Sequence, residues 1–265
     1  MDRWIVDEPQ VLELGAVRSL RIRVVAGDVD VVGTDGPARL EVHDIEGPPL
    51  QVTLSGGELV ITYDDLAWPS LLSWIERRHL RRVSLSVAVP RLCPVELGVV
   101  SASAIVSGIA GDTSVRSVSG TVALDGVRAP VSANTVSGNV ETRSLHGPLR
   151  FKTVSGDLTV VDGASEVLRA RTVSGDITID LDVCAGGAVD LDSVSGDVIV
   201  RLPETVGLDV DLASTSGHLD CAFGGLTEVA KPGRRRLQGR VGDGTGRLHG
   251  RTVSGDIALL RRSGP

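Results

Sequence analysis

The chain has 265 residues with a formal net charge of −7, 42% hydrophobic residues and only 2% aromatics. The acidic balance argues against general nucleic-acid binding, which needs a basic face. A core built almost wholly from Val, Ile, Leu and Ala points to narrow, regular stacking, because wide inter-layer gaps are usually filled by Phe, Tyr and Trp.

The N-terminal residues Met-Asp-Arg-Trp-Ile-Val-Asp-Glu show no basic segment leading into an apolar one, and no 18-residue apolar run follows. The expectation is a cytoplasmic chain without signal peptide or membrane span. Cys93, Cys184 and Cys221 are odd in number and lack CxxC spacing, so they are read as small core residues.

A copy of the later repeat register is legible early. Around Val25, Leu20 and Ile22 precede and Val29 and Val31 follow, with Ala26-Gly27-Asp28 between. Less regular strands are expected at Leu50 to Leu54, Leu59 to Tyr63 and Val83 to Val89. The stretch 64–82 breaks the strand pattern. Pro69 can open a short helix that gathers Trp68 and Trp74 beside Arg77, Arg78, Arg81 and Arg82. That composition suits a cap over an open end, or a docking or peripheral-membrane element.

From about residue 96 the chain repeats. Ser-Gly recurs at Ser119, Ser137, Ser155, Ser174, Ser195, Ser216 and Ser254, in steps of 18, 18, 19, 21, 21 and 38, the last read as two steps of 19. Thr-Val-Ser-Gly stands at Thr135, Thr153, Thr172 and Thr252. Aliphatic residues keep register on both sides: Leu168 and Ala170 before one marker, Ile177 and Ile179 after it. Spacing of two in each arm is the strand period, and the jump of four across the marker is a bend. The marker valines Val136, Val154, Val173 and Val194 are expected to point into the core.

One unit buries too little to fold alone, so units must stack. The expected fold is all-β: a single-stranded β-solenoid, or β-helix, of 18–21-residue coils (96–265) behind a less regular β-rich part (1–95). Stacked Thr, Ser and Gly columns favour it over an antiparallel meander in which Ser-Gly is a hairpin turn.

These Thr-Val-Ser-Gly-Asp-Ile strings, with Gly-x-Leu motifs upstream, resemble the bacterial DUF4097 β-strand-repeat family, labelled adhesin-like. The resemblance implies a β-helical fold with no assigned enzymatic activity.

The marker carboxylates Asp157, Asp176 and Asp197 would hold a cation if one bound. The pattern lacks the dense Gly-Gly-x-Gly-x-Asp of calcium repeats, so no metal or cofactor is assigned. The repeated Ser has neither a paired base nor a Gly-x-Ser-x-Gly context, and is read as a ladder of hydroxyl hydrogen bonds. Glu141, Asp180, Asp182 and Asp190 could supply a glycosidase-like pair of carboxylates. A second basic cluster runs from Lys231 to Arg240, with Arg234, Arg235 and Arg236 at its centre, in a stretch lacking a marker. It is read as a solvated loop or an anion-binding element. The resulting expectation is a non-enzymatic scaffold that serves an envelope or protein partner of unspecified identity and binds no nucleic acid. The alternatives are a self-assembling bactofilin-like scaffold, joining through open solenoid ends, and a polysaccharide-active β-helix enzyme.

Overall fold

The structure, a computed structural model, describes residues 1–63, 81–231 and 233–262. Among them every regular element is a β-strand. The chain divides into two compact units, Met1–Gly138 and Asn139–Pro265.

In the first unit two long strands, β3 (Ser19–Thr34) and β8 (Val95–Ser107), lie side by side in parallel along nearly their whole length. Each contributes to two sheets, one on either side of a bend. The first half of β3 also pairs in parallel with β6 (Glu58–Thr62), and its second half with β7 (Arg82–Pro90). Antiparallel strands continue outward: β5 (Leu50–Ser55) and β1 (Asp2–Val6) beyond β6, and β4 (Arg39–Glu46) and β2 (Gln10–Glu13) beyond β7. The β5–β6 connection is a two-residue turn through Gly56 and Gly57, at φ of 60° and 87°, angles that side-chain-bearing residues rarely adopt. On its other flank β8 pairs in parallel with β9 (Thr113–Ser117) and β10 (Val122–Asp125), and β9 with β11 (Val131–Thr135).

The second unit carries the regular repeat. After β12 (Val140–His146) and β13 (Leu149–Lys152), each coil has two arms. The arm before a marker belongs to one sheet and the arm after it to the other. Strands β14 (Leu158–Arg171) and β15 (Ile177–Asp192) run through both sheets, and β16 (Val198–Pro203) and β17 (Leu208–Ser214) continue them. Aliphatic columns fill the interior as expected. Leu149, Leu168, Val189, Leu248 and Val210 lie inward in one sheet, and Leu158, Ile177, Val198 and Ile257 in the other, all buried.

The order of the coils departs from the sequence. Strands β21 (Gly246–Thr252) and β22 (Ile257–Arg262) do not follow at the edge. They insert between earlier coils: β21 lies between β15 and β17, and β22 between β16 and β18 (Leu219–Cys221), all parallel. The markers therefore stack as Ser174, Ser195, Ser254, Ser216. The 38-residue gap holds no missing coil. It holds a hairpin, β19 (Leu226–Lys231) and β20 (Arg234–Val241), whose second strand covers the free edge of β17 in antiparallel fashion. The all-β class expected from the sequence holds. The regular coil is interrupted by this hairpin, by the displaced coil and by the antiparallel strands of the first unit.

The marker valines are not core residues. Val154 is 51% exposed and Val173 48%, and Val136 and Val194 are similar. The alternation gives the reason. Leu168 and Ala170 point inward, so Thr172 does too, and Val173 must face out. Thr153, Thr172, Ser193, Thr252 and Ser214 are the buried members of the marker instead. The expectation of an inward valine column was therefore shifted by one residue. The stack survives because its core lies in the two arms.

The marker glycines are set by close approach between coils. A Cβ on Gly138 would sit 2.5 Å from the Gly120 carbonyl oxygen, and at Gly175, Gly196, Gly255 and Gly217 the neighbouring glycine carbonyl is closer still. Gly175→Ala is expected to cost about 3 kcal/mol by overpacking. Gly224→Ala, where nothing lies within 4 Å, should be near neutral in the same denaturant titration. Thr142 occupies an inward position opposite Val160, and its buried hydroxyl has no partner among the described residues. Thr142→Val removes that group at nearly constant shape and should raise unfolding stability by about 1 kcal/mol.

Candidate interaction surface

From Thr153 onward each marker builds the same hydrogen-bonded corner, whereas the Thr135 hydroxyl donates to the Gly138 carbonyl at 2.9 Å. The buried hydroxyl of Thr153 accepts the Gly156 N–H at 3.0 Å, Thr172 that of Gly175 at 2.8 Å, and Ser193 that of Gly196 at 2.9 Å. These hydroxyls satisfy buried amides that the strand ladders leave over. The marker serines reach outward to the neighbouring coil. Ser195 donates to the Val173 carbonyl at 3.2 Å, Ser254 to Val194 at 3.3 Å and Ser216 to Val253 at 3.1 Å. The expected hydroxyl ladder is present, with backbone carbonyls as its acceptors.

The Asp column forms a second ladder. Asp157 accepts the backbone N–H of Asp176 at 2.9 Å, Asp176 that of Asp197 at 2.9 Å, Asp197 that of Asp256 at 2.8 Å, and Asp256 that of His218 at 2.7 Å. The hydrogen bond from His218 holds the Asp256 carboxyl below the usual carboxylate range. One oxygen of each carboxylate is thus committed to the next coil, which offsets the repulsion between stacked anions. Among the described residues no group of three His, Cys, Asp or Glu side chains is arranged to hold a metal ion.

Of the four carboxylates considered for glycan chemistry, three are bound by arginines. Asp180, nearly buried, receives Arg201 Nε at 2.8 Å and Arg262 Nη1 at 3.1 Å, and Asp182 pairs with the same Arg262. Asp190 lies between Arg169 at 3.3 Å and Arg247 at 3.6 Å. Glu141 lies on the outer face of β12 in the other sheet from Asp190. These residues do not converge as an open pair.

One surface concentrates positive charge. It is the outer face of the second unit's sheet that contains β13, the second halves of β14 and β15, then β21, β17 and the hairpin. Cross-strand register sets Lys152 beside Arg171, Arg171 beside Asp192, and Asp192 beside Arg251. A second row runs Arg150, Arg169, Asp190, His249, Asp211, Gln238. Arg247 and Arg240 flank Asp209, and Arg236 aligns with Ala213. Across the hairpin Lys231 opposes Arg234. Ten Lys and Arg side chains thus share this face with four Asp, including both lysines of the chain. Its hairpin edge holds a cavity of about 270 Å³ lined by Val229, Lys231, Arg234, Arg236 and Gln238. The basic run legible in the sequence, Lys231 to Arg240, supplies four of these cations, Lys231, Arg234, Arg236 and Arg240. Arg235 faces the other side of the hairpin, 3.9 Å from Glu228.

The hairpin is fastened to the stack by Arg236, whose Nε and Nη2 each lie 2.7 Å from an oxygen of Asp211. This bidentate bond is the main cause holding the Asp211 carboxyl below its ordinary value, with His249 and Arg251 adding to it.

In the first unit the outer sheet face is more evenly paired. Burial alone would raise the Glu96 carboxyl, but the hydrogen bond from Arg21 and the charges of Arg21, Arg23 and Arg116 outweigh it and hold it low. Trp68, Trp74, Arg77 and Arg78 lie outside the described residues. Arg81 stacks 5.6 Å over the ring of Tyr63, and Arg82 lies 4.0 Å from Asp28. Burial pushes the Tyr63 phenol up to about 12, against the opposing charge of Arg81. Cys93 is buried, and Cys184 and Cys221 are half-buried. No helix among the described residues is long and apolar enough to cross a membrane.

Stacked parallel arms, glycine corners and antiparallel flanking strands define an all-β protein of the strand-repeat class. The family model for Toastrack DUF4097 matches residues 15–260, and the chain belongs to that family. Similar solved structures include a candidate adhesin from Parabacteroides distasonis ATCC 8503, 12% identical, with 97% of this chain and 98% of that one covered at a TM-score of 0.51. A candidate adhesin from Bacteroides fragilis NCTC 9343 is also 12% identical, with coverage of 95% and 96% and a TM-score of 0.50. At such identity the likeness concerns the fold. No curated protein matches the sequence.

The lowered Asp211 carboxyl makes hairpin docking pH-dependent. A folded-state pKa below the unfolded value stabilises the fold above the unfolded carboxylate range, about 3.9. That contribution is lost as pH falls through the folded value. Unfolding midpoints between pH 7 and 3 should therefore fall more steeply for the native chain than for Asp211→Asn. Parallel curves would remove Asp211 from the acid response.

Proposed function

We propose that this chain is a non-enzymatic interaction module: a β-solenoid scaffold of the adhesin-like type, which holds charged faces and loops in fixed register for an envelope or protein partner. The observation that carries this reading is the use of the marker residues. The Thr, Ser, Gly and Asp side chains with the strongest chemical signature in the sequence are spent on joining one coil to the next. A catalytic centre built from them would have to break the stack. Membership of a family whose structural neighbours are described as candidate adhesins agrees with this role. The Trp/Arg stretch at 64–82 and the basic hairpin are the elements we assign to partner contact, with peripheral membrane contact as one form of it.

A self-assembling scaffold is the second reading. The short strand β18 pairs with β22 and offers an open edge. Against it, the β19–β20 hairpin covers the edge of β17, and its outer strand carries Glu228 and Lys231, charges that discourage strand addition. The capped module should remain monomeric by light scattering up to millimolar concentration and show no filaments by electron microscopy. Filaments would favour the self-assembling reading. Hydrolysis of a glycan that Asp180→Asn abolishes would overturn the non-enzymatic one.

A further inference from the structure

We infer that the outer basic face of the second unit binds a linear phosphate polymer. The inference does not depend on the scaffold role, since a binding face would serve an enzyme or a filament equally well.

Charge is the first argument. A chain of formal charge −7 places ten cations against four carboxylates on one sheet face. Three of the four carboxylates there are already shared, Asp190 by Arg169 and Arg247, Asp192 by Arg171, and Asp211 by Arg236, and the fourth, Asp209, stands in register between Arg247 and Arg240. Among the described residues no carboxylate lies in ion-pair range of Arg150, Lys152, Lys231, Arg234, Arg240 or Arg251. Uncompensated cations held together on a sheet repel one another, and a bound polyanion relieves that repulsion and releases counterions.

Geometry is the second. Neighbouring strands lie about 4.8 Å apart. Register therefore sets Lys152, Arg171 and Arg251 in one row across the strands, with Asp192 between the last two. Such a row meets an extended polymer bearing charge at every unit. At the end of the face, the cavity beside Lys231 and Arg234 accepts a projecting anionic group. A planar bilayer surface would leave that cavity unfilled.

Side-chain chemistry is the third. Among the described residues no Phe, Tyr or Trp stands on this face, and Phe151, in the same sheet, points into the core. Nucleobases and sugar rings are commonly held by stacking on aromatics, and interfacial membrane binding commonly uses Trp or Phe. Neither device is present. Eight of the ten cations are Arg, whose guanidinium binds phosphate oxygens in bidentate fashion.

The test uses the full chain and long-chain inorganic polyphosphate, with binding followed by titration at several salt concentrations. Polyphosphate should bind, more weakly as salt rises. Arg251→Glu combined with Arg234→Glu should weaken it by about tenfold or more. Arg143→Glu, on the outer face of β12 in the other sheet, should leave it unchanged. Circular dichroism confirms that each variant is folded. Polyglutamate, an oligothymidylate and vesicles of phosphatidylglycerol in phosphatidylcholine are parallel arms. The proposal fails if polyphosphate does not bind, if the two charge reversals weaken it equally, or if any of the three other probes binds more tightly.

Discussion

The glycine carbonyl of one coil lies against the glycine of the next, and most of the second unit follows from that contact. It fixes the spacing between coils at the corner, where no side chain fits between them. It also leaves the corner amides pointing into a space that water does not reach, so each needs an acceptor. The Thr or Ser three residues earlier provides one, and must be buried to do so. Once that residue is inward, strand alternation forces the valine outward and the serine into reach of the neighbouring carbonyl. The aspartate that follows lands beside the next coil's backbone N–H. The five-residue string is therefore one structural device, and its chemistry is directed at its own neighbours.

The two outer faces of the second unit differ because the arms carry different outward residues on similar inward ones. Along the arms before the markers, outward positions are charged, with Arg exceeding Asp. Along the arms after the markers Thr159, Thr178, Ile199 and Ala258 form an uncharged stretch between Glu141 and Asp220, and the next row mixes Arg143, Asp180 and Arg201 with Val161 and Leu260. The core does not impose this asymmetry, since both arms bury aliphatic columns of the same kind.

Much of the fold was legible in the sequence because period-two alternation and a fixed marker spacing are direct consequences of stacking. The aliphatic columns at Leu168, Val189, Ile177 and Val198 followed from the pattern alone. The valine error came from taking apolarity as sufficient evidence for burial. Thr172 competes for the inward position, and it prevails because a buried amide needs an acceptor more than the core needs another methyl group. The 38-residue interval was misread because spacing reports distance along the chain, whereas the β21–β22 coil takes its place from pairing partners far away in sequence. Of the basic face, only the basic run from Lys231 to Arg240 stood out. The rest is assembled from residues such as Lys152, Arg171 and Arg251, one from each coil, and becomes a surface only when the strands are set in register.

The displaced coil has a consequence for biosynthesis. As the chain leaves the ribosome, the strands at 208–221 emerge before those at 246–262, yet in the finished unit they do not pair with the coil of 177–203 that precedes them in translation. The nascent chain must either hold a slot open or pair those strands wrongly and later release them. Assembly of this unit therefore cannot proceed as simple vectorial growth. The rung that joins its two halves is made only after about forty further residues have been polymerised.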